Sequence, residues 1–279
     1  MDNSVFLFPG QGSQAVGMGK DLYDNTDFGK KTFNMADEIL GFHFSKLCFE
    51  GPEEDLKLTY NTQPALLTVS YILYHLLEKE PVMAAGHSLG EYSALVCAGA
   101  LSFEDAVLLV HKRGKYMQEA VPVGKGAMAA IIGADIDNVK EVAAEIDGIV
   151  NLANWNSAAQ IVISGEKDAV TEATEKVKAA KTVFLPVSAP FHSEMMLPAE
   201  EKLAVDLDKT QFNDLKFPII NNVDAVEIST GDAARDGLKR QVSRPVLWHT
   251  SMLKMLEEKS FENFAEVGTG KVLAGLVKR

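Results

Sequence analysis

One serine lies between glycines in Gly86-His87-Ser88-Leu89-Gly90, directly after the apolar run Val82-Met83-Ala84-Ala85. The pattern predicts a strand over 82–85 and a helix over 91–99 that stops at glycine, which is the context of a G-x-S-x-G nucleophile elbow. The chemistry would be that of an activated hydroxyl. A sharp strand-to-helix turn forces strained backbone angles, and glycines keep bulk away from the serine, so the Ser88 hydroxyl is lifted clear of the sheet. It would then sit at a helix N-terminus, where the Leu89 N–H can face a developing oxyanion. The competing reading is a glycine-rich turn with an incidental serine; the flanking strand and helix favour the nucleophile.

A serine nucleophile needs a base. The six histidines are His43, His75, His87, His111, His192 and His249. His75 falls inside a helical pattern, His43 in an aromatic loop, and His111 on the exposed side of its helix. His87 is next to the serine and would point away from it. His192 ends the stretch Pro186-Val187-Ser188-Ala189-Pro190-Phe191-His192-Ser193, whose two prolines fix the approach of a positioned loop residue. That setting puts His192 ahead of His249, and both remain candidates.

Arg113 bears on the substrate. The helix opened by Ser102, with Asp105 three residues on as in a capping box, carries Phe103, Ala106, Val110 and Met117 at helical spacing, and Arg113 falls on that stripe. Its helical neighbours Leu109, Val110, Tyr116 and Met117 are not acidic, so no local ion pair is available. An inward guanidinium stays charged and needs an anion. That anion is either a distant Asp or Glu or a substrate carboxylate held bidentately, and the residues alone leave the two readings level.

Two other motifs fail. Gly10-Gln11-Gly12-Ser13-Gln14-Ala15 matches G-x-G-x-x-A, but the segment about 20 residues on, where a second strand with an acidic ribose ligand should follow, reads as helix. Gly268-Thr269-Gly270-Lys271-Val272 has the look of a Walker A ending, but Ala265 and Val272 replace the required Gly and Ser/Thr. No metal-ligand spacing is present, and none is expected to be needed.

The elements that must position these residues alternate between strand-like and helix-like, which predicts an α/β class. A helix is expected from Pro64 to Lys79, with Pro in its first turn and Leu66, Val69, Leu73 and Leu76 along one face. Further on, strands over 127–132, 149–153, 160–164 and 182–187 and helices over 136–146 and 167–180 give the order βαββαβ of a ferredoxin-like unit. We therefore expect an inserted subdomain over 123–196, with 1–122 and 197–279 forming one larger α/β body.

The chain has 279 residues, 47% of them hydrophobic and 24% charged, which excludes a disordered polymer. With 27 basic and 39 acidic residues the net charge is −12, against general nucleic-acid binding and against an anionic membrane surface. No signal-peptide pattern or spanning run is read in the sequence. Cys48 and Cys97, in apolar helical surroundings, are expected as reduced core residues of a cytoplasmic protein.

Beyond these features the chain resembles the malonyl-CoA:acyl carrier protein transacylase family. The residues that carry the resemblance are Phe8-Pro9-Gly10-Gln11-Gly12-Ser13-Gln14, Thr62-Gln63-Pro64-Ala65, the Ser88 elbow running on through Glu91-Tyr92-Ser93-Ala94, and Arg113-Gly114 with Met117-Gln118. Gly126-Ala127-Met128-Ala129, Pro186-Val187-Ser188 through His192, and Glu266-Val267-Gly268 continue it in order. Thr269 stands where the family usually has proline, and Asn156-Ser157-Ala158-Ala159-Gln160 lacks the usual proline-glycine.

The resemblance implies an α/β-hydrolase-like core with a parallel sheet and a ferredoxin-like insertion. It implies Ser88 as nucleophile, His192 as base, and the backbone N–H groups of Gln11 and Leu89 as the oxyanion hole. Arg113 would bind the malonyl carboxylate, which resolves its two readings. Gln241 would hold the histidine through its backbone carbonyl, with no acidic third member. Gln63 would line the pocket, and Phe191 would restrict a 2-methyl group. The implied substrates are malonyl-CoA and a phosphopantetheinylated acyl carrier protein, with no cofactor, and a monomer is expected. Because acyl carrier proteins are acidic, a local basic patch is expected near Arg113, Lys115 and Lys181. The alternatives are an esterase or thioesterase on the same elbow, and a non-catalytic carrier-docking module.

Overall fold

The computed structural model describes residues 3–187, 189–259, 261 and 263–278. Ser188 of the loop motif lies outside the described residues, as do Met1, Asp2 and Arg279. Among the described residues nine strands follow one another as β1 (Ser4–Phe8), β2 (Met83–Gly86), β3 (Gly126–Ile132), β4 (Val150–Ser157), β5 (Gln160–Glu166), β6 (Lys181–Phe184), β7 (Ile219–Ile220), β8 (Glu227–Ile228) and β9 (Asn263–Glu266).

The larger sheet has the order β8-β7-β2-β1-β9. β1 runs parallel to both β2 and β9, β2 runs parallel to β7, and β8 closes one edge antiparallel to β7. The continuous apolar run in β1 is what a strand covered on both faces requires. Its side chains alternate accordingly: Phe6 and Phe8 join the core beneath the main helices, while Val5 and Leu7 join a second cluster with Met83, Ala85, Trp248 and Leu273.

Two long helices, Thr59–Leu77 and Phe103–Glu119, pack against each other on the first face. The first begins five residues earlier than the sequence suggests, so Pro64 lies inside it and not in its first turn. Proline removes the donor that the Tyr60 carbonyl would normally meet. The His111 imidazole takes that carbonyl through Nδ1 at 2.8 Å, which makes His111 half-buried and bonded and not merely a surface residue. Tertiary bonds also hold the added turn: Gln118 Oε1 accepts from the Thr59 N–H, and the Thr62 hydroxyl donates to the Leu56 carbonyl. The apolar face differs in detail as well, for Leu76 is 40% exposed and Ile72 is fully buried.

The second sheet, in the order β4-β5-β3-β6, is antiparallel throughout. Ala129, Ile131, Ile161 and Ile163 pack against the helices Ile136–Glu145 and Lys167–Lys176. Met128, Ala130 and Val162, on the opposite face, join the main core. The Lys167–Lys176 helix ends four residues before the expected position, because the Ala180 N–H already pairs with the Ile132 carbonyl. β4 runs on to Ser157 because Val246 pairs with it, bonding Ala153 and Trp155 and tying the two sheets together. No helix is long and apolar enough to cross a membrane among the described residues.

Candidate active site

The elbow forms where β2 ends and the helix Leu89–Cys97 begins. Ser88 sits there at φ 51° and ψ −105°, a conformation that non-glycine residues rarely hold. The flanking glycines are required by close approach. A Cβ on Gly86 would lie 1.9 Å from the Gly90 carbonyl, and one on Gly90 would lie 2.0 Å from the Phe8 carbonyl oxygen.

Ser88 Oγ is 2.8 Å from His192 Nε2. His192 Nδ1 faces two backbone carbonyls, Gln241 at 2.9 Å and Arg244 at 3.2 Å. Carbonyls only accept, so Nδ1 carries the proton and Nε2 is left to accept from the Ser88 hydroxyl. These carbonyls occupy the position that a carboxylate takes in a Ser-His-Asp triad. Burial, reinforced by the nearby positive charge of Arg113, holds His192 well below its usual range, at about 3, so the imidazole is neutral at physiological pH. His249 is elsewhere, its ring 4.9 Å from that of Trp155, and His75 stacks on Phe28. His87, though adjacent to Ser88, is tied through Nε2 to Asn156 Oδ1 at 2.8 Å, in the hairpin where the sequence departs from the family pattern.

Arg113 is 1% exposed. Its Nη2 donates to Ser88 Oγ at 3.0 Å and to Gln241 Oε1 at 2.9 Å, and the Tyr92 ring lies 5.4 Å away. Among the described residues no carboxylate comes within 4.0 Å of the guanidinium, and Nε is buried without a partner. Such burial rules Arg113 out of a surface docking patch, whereas Lys115 and Lys181 are exposed. The Gln11 and Leu89 N–H groups enter no hydrogen bond among the described residues.

These groups open on a cleft of about 370 Å³ between the two sheets, lined also by Gln63, Met117, Met128, Asn154 and Phe191. Gln63 Nε2 lies 3.8 Å from Met117 Sδ, and its buried Oε1 has no partner among the described residues. Phe191 is 7% exposed on the wall of the cleft. The glycine-rich loop after β1 leads into the helices Lys20–Asn25 and Asp27–Leu40 and not into a second strand, and it gives Gln11, Gly12 and Gln14 to the cleft.

Sequence reasoning missed two residues behind the elbow. Asn222 Oδ1 accepts from the Ser88 N–H at 2.7 Å. Glu91 Oε2 accepts from Gln241 Nε2 at 2.7 Å and from the Asn222 N–H at 3.1 Å. Burial pushes the Glu91 carboxyl up to about 7 against these donors. An acidic residue in the first turn of an otherwise apolar helix was the available signal for Glu91. For Asn222, 134 residues from Ser88 in the chain, there was none. No cluster of three or more metal-ligating side chains occurs among the described residues.

The acyl transferase domain family matches residues 5–279. A malonyl CoA-acyl carrier protein transacylase of Escherichia coli O157:H7 is 50% identical over 289 residues, an alignment that covers 100% of this chain and 93% of that one. Among solved structures, an acyl carrier protein S-malonyltransferase from Vibrio cholerae O1 biovar eltor superposes with a TM-score of 0.96 at 43% identity, covering 100% of this chain and 94% of the other. A malonyl-transacylase solved in complex with a type II PKS acyl-carrier protein superposes equally well, at a TM-score of 0.96 and 42% identity, with coverage of 100% and 93%. The protein is thus an acyl transferase by fold and by sequence. Within that class, the chain belongs to the malonyl-CoA:acyl carrier protein transacylase family.

Proposed function

We propose that this chain moves the malonyl group of malonyl-CoA to the phosphopantetheine thiol of an acyl carrier protein through a malonyl-Ser88 intermediate, supplying fatty acid or polyketide synthesis. The observation that carries this reading is the convergence of a neutral imidazole and a buried guanidinium on one serine hydroxyl, 2.8 and 3.0 Å away.

His192 Nε2 takes the hydroxyl proton as Ser88 Oγ attacks the thioester carbonyl. The tetrahedral oxyanion is received by the Gln11 and Leu89 N–H groups, donors of a kind worth about 3 kcal/mol each. The C–S bond breaks, His192 returns its proton to the coenzyme A thiolate, and malonyl-Ser88 remains. The carrier thiol then gives its proton to His192 and attacks, and the same steps run in reverse. Arg113 holds the free malonyl carboxylate, an assignment supported by its burial and by the absence of a carboxylate beside it among the described residues. Pairing with that carboxylate also offsets the positive charge that helps to depress His192, so substrate strengthens the base. Gln241 orients His192 through its carbonyl, Gln63 lines the acyl pocket, and Phe191 crowds the position of a 2-methyl substituent.

We read residues 1–122 and 197–279 as an α/β-hydrolase-like catalytic body and 123–196 as a ferredoxin-like subdomain. The order β4-β5-β3-β6, with two helices on one face, supports the second assignment. The reaction closes with side chains and two thioesters, so coenzyme A thioester is a substrate and no cofactor is invoked. The free, buried Cys48 and Cys97 support a reducing, cytoplasmic location. Initial rates over a grid of malonyl-CoA and carrier-protein concentrations test the reading: ping-pong transfer gives parallel double-reciprocal lines, and intersecting lines overturn it.

A further inference from the structure

Asn222 lies two residues after β7 and is 1% exposed. Its side chain bridges the two sides of the elbow. Oδ1 accepts from the Ser88 N–H at 2.7 Å, and Nδ2 donates to the Gly86 carbonyl at 2.7 Å. An N–H on one side and a C=O on the other admit only one orientation of the amide. The main chain of Asn222 is held as well, its N–H by Glu91 Oε2 at 3.1 Å and its carbonyl by the Leu247 N–H at 2.9 Å.

We propose that Asn222 is a positioning residue for the nucleophile, its amide clamping Gly86 to Ser88 across the strained turn, while buried Glu91 locks that clamp to Gln241. Ser88 is held at a positive φ that a free chain would leave. Two side-chain bonds spanning residues 86–88 oppose that relaxation and keep Oγ on His192 Nε2. The clamp also occupies the N–H of Ser88 itself, which leaves Leu89 and Gln11 as the oxyanion donors. Through Oε2, Glu91 ties Asn222 to Gln241, whose carbonyl orients His192, so nucleophile and base share one buried support. The inference rests on the Ser88 chemistry proposed above.

The test compares wild type with Asn222→Ala and Asn222→Asp from pH 5 to 8. It reads Ser88 acylation by malonyl-CoA in rapid-quench intact mass, KM, thermal unfolding, and labelling of Ser88 by methanesulfonyl fluoride. Misplacement of a reacting atom on the scale of an ångström costs about 10²-fold. Asn222→Ala should therefore acylate about 10²-fold more slowly with KM unchanged. Asn222→Asp keeps the acceptor for the Ser88 N–H, but it can donate to the Gly86 carbonyl only when protonated. Its rate relative to wild type should rise as pH falls, a signature that loss of fold does not produce. The charged groups near position 222 include Glu91, Asp224 with its ion-pair partner Arg240, and Arg113 beyond Gln241, with His192 neutral throughout this range. Wild-type rates in Asn222→Ala, or a pH-independent ratio for Asn222→Asp, would overturn the proposal. If wild type is sulfonylated at Ser88 but never malonylated, the transferase reading fails, and the sulfonylation rates of the two variants still decide whether the clamp operates.

Discussion

Replacing Arg113 by alanine should collapse the preference for malonyl over acetyl groups. The guanidinium makes both of its hydrogen bonds through Nη2, to Ser88 Oγ and Gln241 Oε1. Hydrogen bonds to charged groups contribute about 1.5–3 kcal/mol each, so a bidentate carboxylate gains about 5 kcal/mol in gross terms. To accept it, Nη2 must give up its bond to Ser88, which removes about 2 kcal/mol. The net of about 3 kcal/mol corresponds to roughly 10²-fold in kcat/KM. Acetyl-CoA carries no carboxylate and leaves the buried charge uncompensated, so its kcat/KM should stay within a few-fold of wild type or rise. The assay is single-turnover acylation of Ser88 by each thioester. The acetyl arm isolates the carboxylate contact from the bond that Arg113 makes to the serine. An equal loss on both substrates would remove the carboxylate role and assign Arg113 to the serine alone.

Three other outcomes follow from the geometry. With His192 held at about 3 by burial and by Arg113, kcat/KM for malonyl-CoA should show no histidine inflection between pH 8 and 5, and an inflection near 6.5 that persists in Glu91→Gln would contradict the buried, neutral base. Glu91 is raised from 4.5 to about 7, so the folded state holds the extra proton between those values: the stability it contributes is full below 4.5 and is lost as pH rises through 7. Glu91→Gln has no such loss, so its stability in urea relative to wild type should improve by about 3 kcal/mol from pH 4.5 to 8, and a constant difference would refute the shift. In Gly90→Ala the new Cβ meets the Phe8 carbonyl at 2.0 Å, so acylation should be lost and the melting point should fall, whereas Gly275→Ala, with nothing within 4 Å, should change neither.

The candidate site residues that converge in the cleft were legible where their signal was local. Ser88 announces itself through five consecutive residues, His192 through the prolines that precede it, and Arg113 through its place on an apolar helical stripe. What the guanidinium pairs with depends on distances to other helices and loops, which periodicity does not encode. The βαββαβ order was readable because hydrophobic period switches between two and 3.6 within each element. The two-residue strands β7 and β8 carry too little pattern to be read, although β7 delivers Asn222 to the elbow. Pro64 misled because a carbonyl freed by proline is satisfied by a histidine 51 residues away. Gln241 became visible only through family resemblance, since the atom that holds His192 is a backbone oxygen that any residue type possesses.

Intact mass spectrometry after brief mixing with malonyl-CoA, beside acetyl-CoA and a Ser88→Ala control, reads the acyl-Ser88 intermediate itself. A malonyl adduct is expected on wild type alone, stable until phosphopantetheinylated carrier protein is added and then discharged onto its thiol. Free coenzyme A accumulating without an adduct would mean that water deacylates Ser88, and would contradict the transferase.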